Sequence, residues 1–148
     1  MVKRPFWLEK IKKSWESKPI VWLSGVRRVG KTTIAKMIPD TVYNNCDLPS
    51  VQRKLEDPEY YFNNISGNRN LIFDEIHKLS DPSTLLKIAA DEFPQFRILA
   101  TGSSTLEATK KFRDSLTGRK TIIYLPPILW DETKELFGIK DLDFRLLN

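Results

Sequence analysis

The residues from Gly25 to Thr32 have the types and the spacing of a loop that binds the phosphates of a nucleotide. Two glycines there are separated by four residues, and a lysine and a threonine follow the second one. Glycines let the backbone curl so that successive N–H groups point at a phosphate, and the following helix adds its positive dipole end. Lys31 supplies a charge to the terminal phosphates, and the Thr32 hydroxyl is predicted to ligate Mg²⁺. This motif therefore predicts a site for a nucleoside triphosphate with magnesium.

The predicted nucleotide-binding segment extends one residue beyond the motif. Its members are Gly25, Val26, Arg27, Arg28, Val29, Gly30, Lys31, Thr32 and Thr33. The two arginines occupy variable positions of the pattern. They could reach the phosphates, a neighbouring subunit or nucleic acid, or they could be solvated loop residues.

An acidic pair follows an apolar run further along the chain. Residues 70–73, Asn-Leu-Ile-Phe, have the composition of a buried strand, and Asp74 and Glu75 come directly after them. This is the form of a Walker B strand. Asp74 is predicted to hold Mg²⁺ through water, because that ion keeps several waters and takes few protein ligands. Glu75 is predicted to polarise the attacking water as general base, which favours hydrolysis.

Two hydroxyl residues, Thr101 and Ser103, follow another apolar run. A hydroxyl at that position could hold the nucleophilic water or contact the γ-phosphate. Threonine and serine are also common where strands end and helices begin. The sequence therefore leaves open which of the two, if either, takes part in the reaction.

These motifs fall within an alternation of strand-like and helix-like segments. Strands are predicted at residues 20–23, 41–43, 70–73, 97–100 and 121–125. Helices are predicted at residues 7–15, 31–38, around Pro58, and at 82–93, 103–116 and 131–138, with Asp81 capping the fourth. Strands separated by helices predict a parallel sheet, because parallel neighbours need crossover connections. Ligands bind outside the carboxyl ends of such strands, which is where the polar residues cluster.

The bulk composition fits one ordinary domain with a real core. The chain has 148 residues, of which 41% are hydrophobic, and a formal net charge of +5. A mild basic excess fits a polyphosphate ligand or nucleic acid, and it also fits an unremarkable soluble protein. The lysines that could form basic patches for DNA are Lys10, Lys12, Lys13, Lys110 and Lys111.

Cysteine content and hydropathy bear on where the chain works. Cys46 is the single cysteine, so no intramolecular disulfide is possible and a reducing compartment is favoured. The longest apolar run, residues 122–130, contains two prolines and is far shorter than the roughly 20 residues of a membrane helix. The chain is therefore predicted to be soluble and cytoplasmic, with no membrane partner.

Five segments occur in an order that is similar to one family. They are GVRRVGKTT, LIFDEIHKL, RILATGSS, SLTGRK and the stretch from Leu125-Pro126 to Glu132 or Glu135. Over residues 18–138 the chain resembles the AAA-domain ATPases of bacteria and archaea that carry a C-terminal domain of unknown function. These belong to the AAA+-like branch of P-loop NTPases. The resemblance implies an α/β fold of three layers, α/β/α, with a parallel sheet in spatial order 5-1-4-3-2.

The chain is predicted to divide into three parts, and the resemblance implies a set of functional residues. Residues 1–17 would form an N-terminal amphipathic helix, 18–130 the P-loop ATPase core and 131–148 a short C-terminal helical segment. The implied catalytic residues are Lys31, Glu75, Thr101, Ser103 and Arg119, and the implied metal ligands are Thr32 and Asp74. Of these, Thr101 or Ser103 would be the sensor, and Arg119 would be a finger that acts on the ATP of a neighbour in a homo-oligomer. Arg113 is a second candidate for that finger, and a solvated arginine is the alternative.

The sequence thus predicts an ATPase that works as a nucleotide switch for an attached domain or an oligomer. Its cofactors would be ATP and Mg²⁺. Adenine is favoured over guanine because the guanine-specific pattern Asn-Lys-x-Asp is absent from the sequence. A P-loop phosphotransferase, an ATP-binding module without turnover and DNA association are the alternatives. Residues 7–19 could hold the base or belong to the core. Family members are usually longer, so the domain that confers specificity is expected to be missing, and such a chain can bind ATP yet turn it over slowly.

Overall fold

A computed structural model describes residues 3–24, 35–67 and 69–124, with side chains from Trp7 onward. The predicted phosphate-binding segment and the predicted C-terminal helix lie outside these residues. The strands are β1 (Ile20–Ser24), β2 (Thr41–Asn45), β3 (Asn70–Asp74), β4 (Arg97–Thr101) and β5 (Lys120–Tyr124). The helices are α1 (Lys3–Trp15), α2 (Pro49–Lys54), α3 (Pro58–Asn63), α4 (Pro82–Glu92), α5 (Ser104–Glu107) and α6 (Lys110–Leu116), with a 3-10 turn at Ile76–Lys78.

The five strands form one sheet in which every pairing is parallel. Their spatial order is β2-β3-β4-β1-β5. Counted from the opposite edge this is the order 5-1-4-3-2 that the family resemblance implies, so the predicted fold is confirmed. β4 lies between β1 and β3, which brings the carboxyl ends of these three strands together.

Both faces of the sheet are covered by helices, because successive strand side chains point to opposite faces. One face packs against α3, α4 and α6 through the strand residues Ile20, Trp22, Leu71, Phe73, Ile98 and Ala100. The other face packs against α1 through the strand residues Val21, Leu23, Ile72, Leu99 and Ile123. The result is the three-layer α/β/α arrangement. Among the helices in the described ranges, none has the length and apolar character to cross a bilayer.

Helix α1 contributes its apolar side to the core. Trp7, Ile11 and Trp15 are buried against the sheet, and the Trp15 indole N–H donates to the Ile98 carbonyl oxygen at 2.8 Å. The helix begins at Lys3, four residues before its predicted start, and Pro5 lies in its first turn, where the missing N–H costs nothing. Because these aromatic side chains are buried, the structure places them in the core rather than in a base-binding surface.

Two predicted helices differ from the structure. The helix predicted over residues 103–116 is interrupted at Ala108 and Thr109, and the two parts are α5 and α6. The Thr109 hydroxyl accepts a hydrogen bond from the Phe112 N–H at 3.3 Å, so a side-chain cap replaces a continuing helical bond at this point. Of the helix predicted over residues 31–38 the structure describes only the end, where Ala35 is helical and turns follow.

The start of α4 agrees with the sequence in detail. Pro82 is its first residue, and an Asp81 carboxylate oxygen accepts from the Thr84 N–H at 3.3 Å. The same oxygen accepts from Lys111 Nζ at 3.1 Å. Partial burial raises the pKa of Asp81, but the hydrogen bonds from Thr84 and Lys111 outweigh burial and hold the pKa below its ordinary value.

We expect Asp81→Ala to lower the free energy of unfolding by about 1 kcal/mol near neutral pH, because α4 loses its cap. A lowered carboxylate pKa contributes stability that is present above the ordinary value of 3.8 and is lost as the pH falls through the folded-state pKa. The difference between wild type and variant, measured by urea unfolding, should therefore shrink below about pH 4. Asp81→Asn keeps a capping oxygen and is the control for the charge. A difference that stays constant down to about pH 2 would contradict the assignment.

Candidate functional site

The candidate site lies at the carboxyl edge of the sheet, where β1, β3 and β4 end next to one another. Leu23 is level with Thr101, and Phe73 is level with Ala100. Asp74, the residue after Phe73, is therefore beside Thr101, since neighbouring strands lie about 4.8 Å apart. Ser24, the last residue of β1, lies at the same edge and is directly followed in sequence by the predicted phosphate-binding segment.

Asp74 is a buried carboxylate whose two oxygens are both held. Asp74 is 2% exposed. The Thr101 hydroxyl donates to Asp74 Oδ1 at 2.5 Å, and the Tyr43 hydroxyl donates to Asp74 Oδ2 at 2.6 Å. Hydrogen bonds to a charged acceptor are among the stronger ones, so this carboxylate is oriented before any ligand arrives. A carboxylate of this kind is a ligand type that Mg²⁺ takes in proteins.

Glu75 has an unusual backbone conformation for a residue with a side chain. Its φ is 60° and its ψ is 43°, the left-handed region, which costs roughly 1–2 kcal/mol outside glycine. The Glu75 N–H donates to the Thr101 hydroxyl oxygen at 3.0 Å, which supports this conformation. The chain therefore turns sharply at the residue after Asp74, and the Glu75 carboxylate keeps 18% of its side-chain surface in contact with solvent.

His77 lies beside the Glu75 carboxylate. Its Nε2 is 3.6 Å from Glu75 Oε1, and its Nδ1 is buried with no hydrogen-bond partner among the residues that the structure describes. The side chain is 24% exposed. The single histidine is therefore a direct neighbour of the predicted general base and not a remote surface residue.

Tyr43 is a site residue that the sequence analysis missed. Burial raises its pKa, and the hydrogen bond to Asp74 and the negative charge there raise the pKa further. The hydroxyl therefore stays protonated and remains a donor to Asp74. No motif indicated this contact, because Tyr43 is the third of the five residues of β2 and is level with Ile72, so that only its long side chain reaches Asp74.

Thr101, which ends β4, and Ser103, which follows it, have different surroundings. Thr101 is fully buried and contacts both Asp74 and the Glu75 backbone. The Ser103 hydroxyl oxygen accepts from the Leu106 N–H at 3.1 Å and so caps α5. The structure therefore brings Thr101 together with the acidic pair, while it places Ser103 in a helix cap.

Arg119 lies at the amino ends of the strands, which is the end of the sheet opposite to the candidate site. It precedes β5, and its carbonyl oxygen accepts from the N–H of Ile20, the first residue of β1. Its guanidinium forms two hydrogen bonds with the Asp91 carboxylate, at 2.8 and 3.0 Å. The other candidate, Arg113, donates to the Ala108 carbonyl oxygen at 3.0 Å. Neither arginine belongs to the cluster around Asp74 in its own chain.

A second group of polar contacts connects the end of β1 to α5. The Ser24 hydroxyl and the Trp22 indole N–H both donate to Glu107 Oε1, at 2.7 and 2.9 Å. No motif in the sequence indicated Glu107, because its role depends on how the short helix α5 is placed against β1. The predicted ligands in the phosphate-binding segment, including Lys31 and Thr32, lie outside the described residues.

Comparison with known proteins identifies the family of the chain. Residues 17–134 match the family model described as an AAA domain. The chain belongs to the AAA-domain family. As an AAA domain with a parallel sheet of this order, it is a P-loop NTPase, and its family implies nucleotide binding.

Two sequence relatives and two solved structures are similar to this chain. Uncharacterized proteins of Mycobacterium tuberculosis and Mycobacterium bovis are each 25% identical over 121 residues, a match that covers 78% of this chain. The chain spans 27% of the length of either relative. The Walker-type ATPase of Pyrococcus abyssi superposes with a TM-score of 0.54 at 15% identity, over 93% of this chain and 59% of that one. A DNA polymerase III gamma subunit-related protein of Thermotoga maritima gives 0.52 at 12% identity, over 90% and 49%. At these identities the similarity shows the fold of the AAA domain.

Proposed function

We propose that this AAA domain binds ATP with Mg²⁺ and hydrolyses it. The observation that carries the proposal is the Asp74 carboxylate, buried and held by Thr101 and Tyr43, with Glu75 directly after it. This pair lies at the edge where β1 ends and the predicted phosphate-binding segment begins. Mg²⁺ supplies charge neutralisation at the phosphates when bound, and Asp74 and Thr32 would hold it.

In this proposal each residue has one task. Lys31 and the backbone of the segment from Gly25 to Thr33 bind the phosphates. Asp74, fixed in orientation, receives the hydrated metal. Glu75 accepts a proton from the attacking water, and its partly exposed carboxylate can be reached by that water.

Calorimetric titration with ATP and GTP, each with and without Mg²⁺, tests the binding step. We expect Mg²⁺-dependent binding of ATP in preference to GTP, and we expect Lys31→Ala to abolish it, because the lysine charge on the terminal phosphates is lost. Lys12→Ala removes an exposed lysine from α1 and is the matched control. ATP affinity that is equal in wild type and Lys31→Ala would refute the phosphate site.

We further propose that Thr101, and not Ser103, is the hydroxyl that senses the nucleotide. Thr101 joins Asp74 to the Glu75 backbone, so a change at the γ-phosphate can reach both residues through it. Thr101→Val should lower ATP turnover by at least about tenfold, since a buried charged group loses a donor and an N–H loses its acceptor. Ser103→Ala should cost α5 only its cap, measured as a small loss of stability with turnover nearly unchanged. Equal turnover in both variants would contradict this choice.

The role of Arg119 as a finger for a neighbour's ATP stays a prediction with one added requirement. Its ion pair with Asp91 in the same chain must open before the guanidinium can reach another subunit. Turnover per subunit that rises with protein concentration, and that is lost in Arg119→Ala, would support a homo-oligomer of this kind. The switch role for an attached domain fits relatives that are several times longer than this chain.

Among the predictions, DNA association has the least support from the contacts of the described residues. Two of the five lysines that could form basic patches are in ion pairs, Lys110 with Asp114 and Lys111 with Asp81. Lys12 and Lys13 are exposed on α1. If DNA binds, its affinity should fall steeply as the salt concentration rises. An affinity that does not change with salt concentration would exclude contacts to the phosphate backbone.

A further inference from the structure

Glu107 connects the segment after β4 to the strand that leads into the phosphate-binding segment. It is the last residue of α5, and its Oε1 accepts from the Ser24 hydroxyl at 2.7 Å and from the Trp22 indole N–H at 2.9 Å. A carboxylate that accepts two donors from one neighbouring strand makes charge-assisted bonds, which are stronger than neutral ones. The end of α5 is therefore tied to the last residues of β1.

Trp22 gives this tie a rigid anchor. Its side chain is fully buried, and its ring centroid is 4.8 Å from that of Phe112. A Cβ at Gly102 would lie 2.7 Å from Trp22 Cη2, so the backbone after β4 closes directly over the indole ring. Because the ring cannot shift without moving its neighbours, the indole N–H fixes the position of the Glu107 carboxylate.

The stretch from Thr101 to Glu107 thus makes contacts of different kinds at its two ends. At one end Thr101 bonds to Asp74 and Glu75. At the other end Glu107 bonds to Ser24, which is directly followed by Gly25 of the phosphate-binding segment. One short piece of chain therefore links the acidic pair to the residue from which the phosphate-binding segment starts.

We propose that Glu107 is a positioning residue that couples the start of the phosphate-binding segment to Thr101 and the acidic pair. It does not contact the reacting atoms. Its carboxylate holds Ser24, the last described residue before Gly25, in a fixed position relative to the stretch that begins at Thr101. This inference deepens the proposed function and rests on it for its nucleotide-dependent part.

The first part of the test needs no nucleotide. In ¹⁵N-labelled protein, Glu107→Ala should move the Trp22 indole resonance, assigned with Trp22→Phe, and the backbone amide resonances of residues 24–33. Glu107→Gln should move them less, because its amide oxygen still accepts both donors. Thr105→Ala, an exposed change in the same helix, is the matched control and should leave them in place.

The second part measures ATP and ADP affinity in the same variants. Glu107→Ala should weaken Mg²⁺-dependent ATP binding by about tenfold and ADP binding less, because only ATP bridges the two ends of the link. A purely structural role would lower stability and leave the ratio of the two affinities unchanged. Ser24→Ala removes one donor only and should reproduce part of the effect, which covers the case that Glu107→Ala does not fold.

The outcomes separate this inference from the function it rests on. The coupling would be overturned if the amide resonances of residues 26–33 stay in place in Glu107→Ala and those of residues 101–107 stay in place in Ser24→Ala. If the resonances move in the variants but the wild-type domain binds no ATP, the link between Glu107 and Ser24 is supported and the proposed function is refuted. Moved resonances together with an unchanged ratio of ATP to ADP affinity would reduce Glu107 to a structural residue and overturn the proposal.

Discussion

Replacing Glu75 with glutamine is expected to lower ATP turnover by about 10²–10⁴-fold while ATP binding survives. Glutamine has the size of glutamate and keeps an acceptor oxygen, but it does not take a proton from water at neutral pH. Asp74 keeps its hydrogen bonds from Thr101 and Tyr43, so the proposed metal ligand is unchanged. Initial rates of phosphate release, compared with calorimetric ATP affinity on the same preparations, measure both quantities.

The control for this variant is Glu92→Gln, which removes an exposed carboxylate at the end of α4. It should leave turnover unchanged. If Glu75→Gln turns over ATP as fast as wild type, Glu75 is not the general base, and the phosphotransferase hypothesis is then favoured. A wild-type domain that binds ATP and releases no phosphate would instead make it a binding module.

Replacing Phe62 with alanine is expected to lower the free energy of unfolding by about 3–5 kcal/mol. Phe62 is 1% exposed, and its ring centroid lies 5.1–6.3 Å from those of Tyr61, Phe73, Phe93 and Phe96. The short helix α3 thus inserts a ring between β3 and the end of α4. Loss of that ring leaves a cavity directly under the strand that ends at Asp74, and urea unfolding measures the cost.

Tyr60→Ala in the same helix is the matched control, because Tyr60 is 67% exposed. It removes a larger side chain from the same element and should change the free energy of unfolding by less than about 0.5 kcal/mol. Similar losses in the two variants would show that the aromatic cluster does not set the stability of this half of the domain.

The local signals of the sequence located most of the elements. Each predicted strand matches an observed one within two residues at either end, because short apolar runs bounded by polar residues are typical of buried parallel strands. The cap at Asp81 and the first helical position of Pro82 were also predicted, since both depend on residues within one turn.

Predictions over a longer reach were less complete. The helix predicted over residues 103–116 is two helices, because the Thr109 side chain caps a new helix where the first one ends. The polar stretch around Pro58 was predicted to hold short helices, yet nothing in it indicated that Phe62 lies at the centre of an aromatic cluster. Burial of that kind depends on which elements pack together.

The site shows the same division. The order of residue types alone predicted the acidic pair at the end of β3 and a hydroxyl at the end of β4, because each motif is a short run with its chemistry in consecutive side chains. The phosphate-binding segment lies outside the described residues and stays a prediction. The parallel sheet then explains why the ends of β3 and β4 meet. Sequence could not choose between Thr101 and Ser103, and it did not indicate Tyr43 or Glu107. The contacts of Tyr43 and Glu107 join residues that are 31, 83 and 85 positions apart in the chain. Only the pairing of the strands and the placement of α5 bring these residues together.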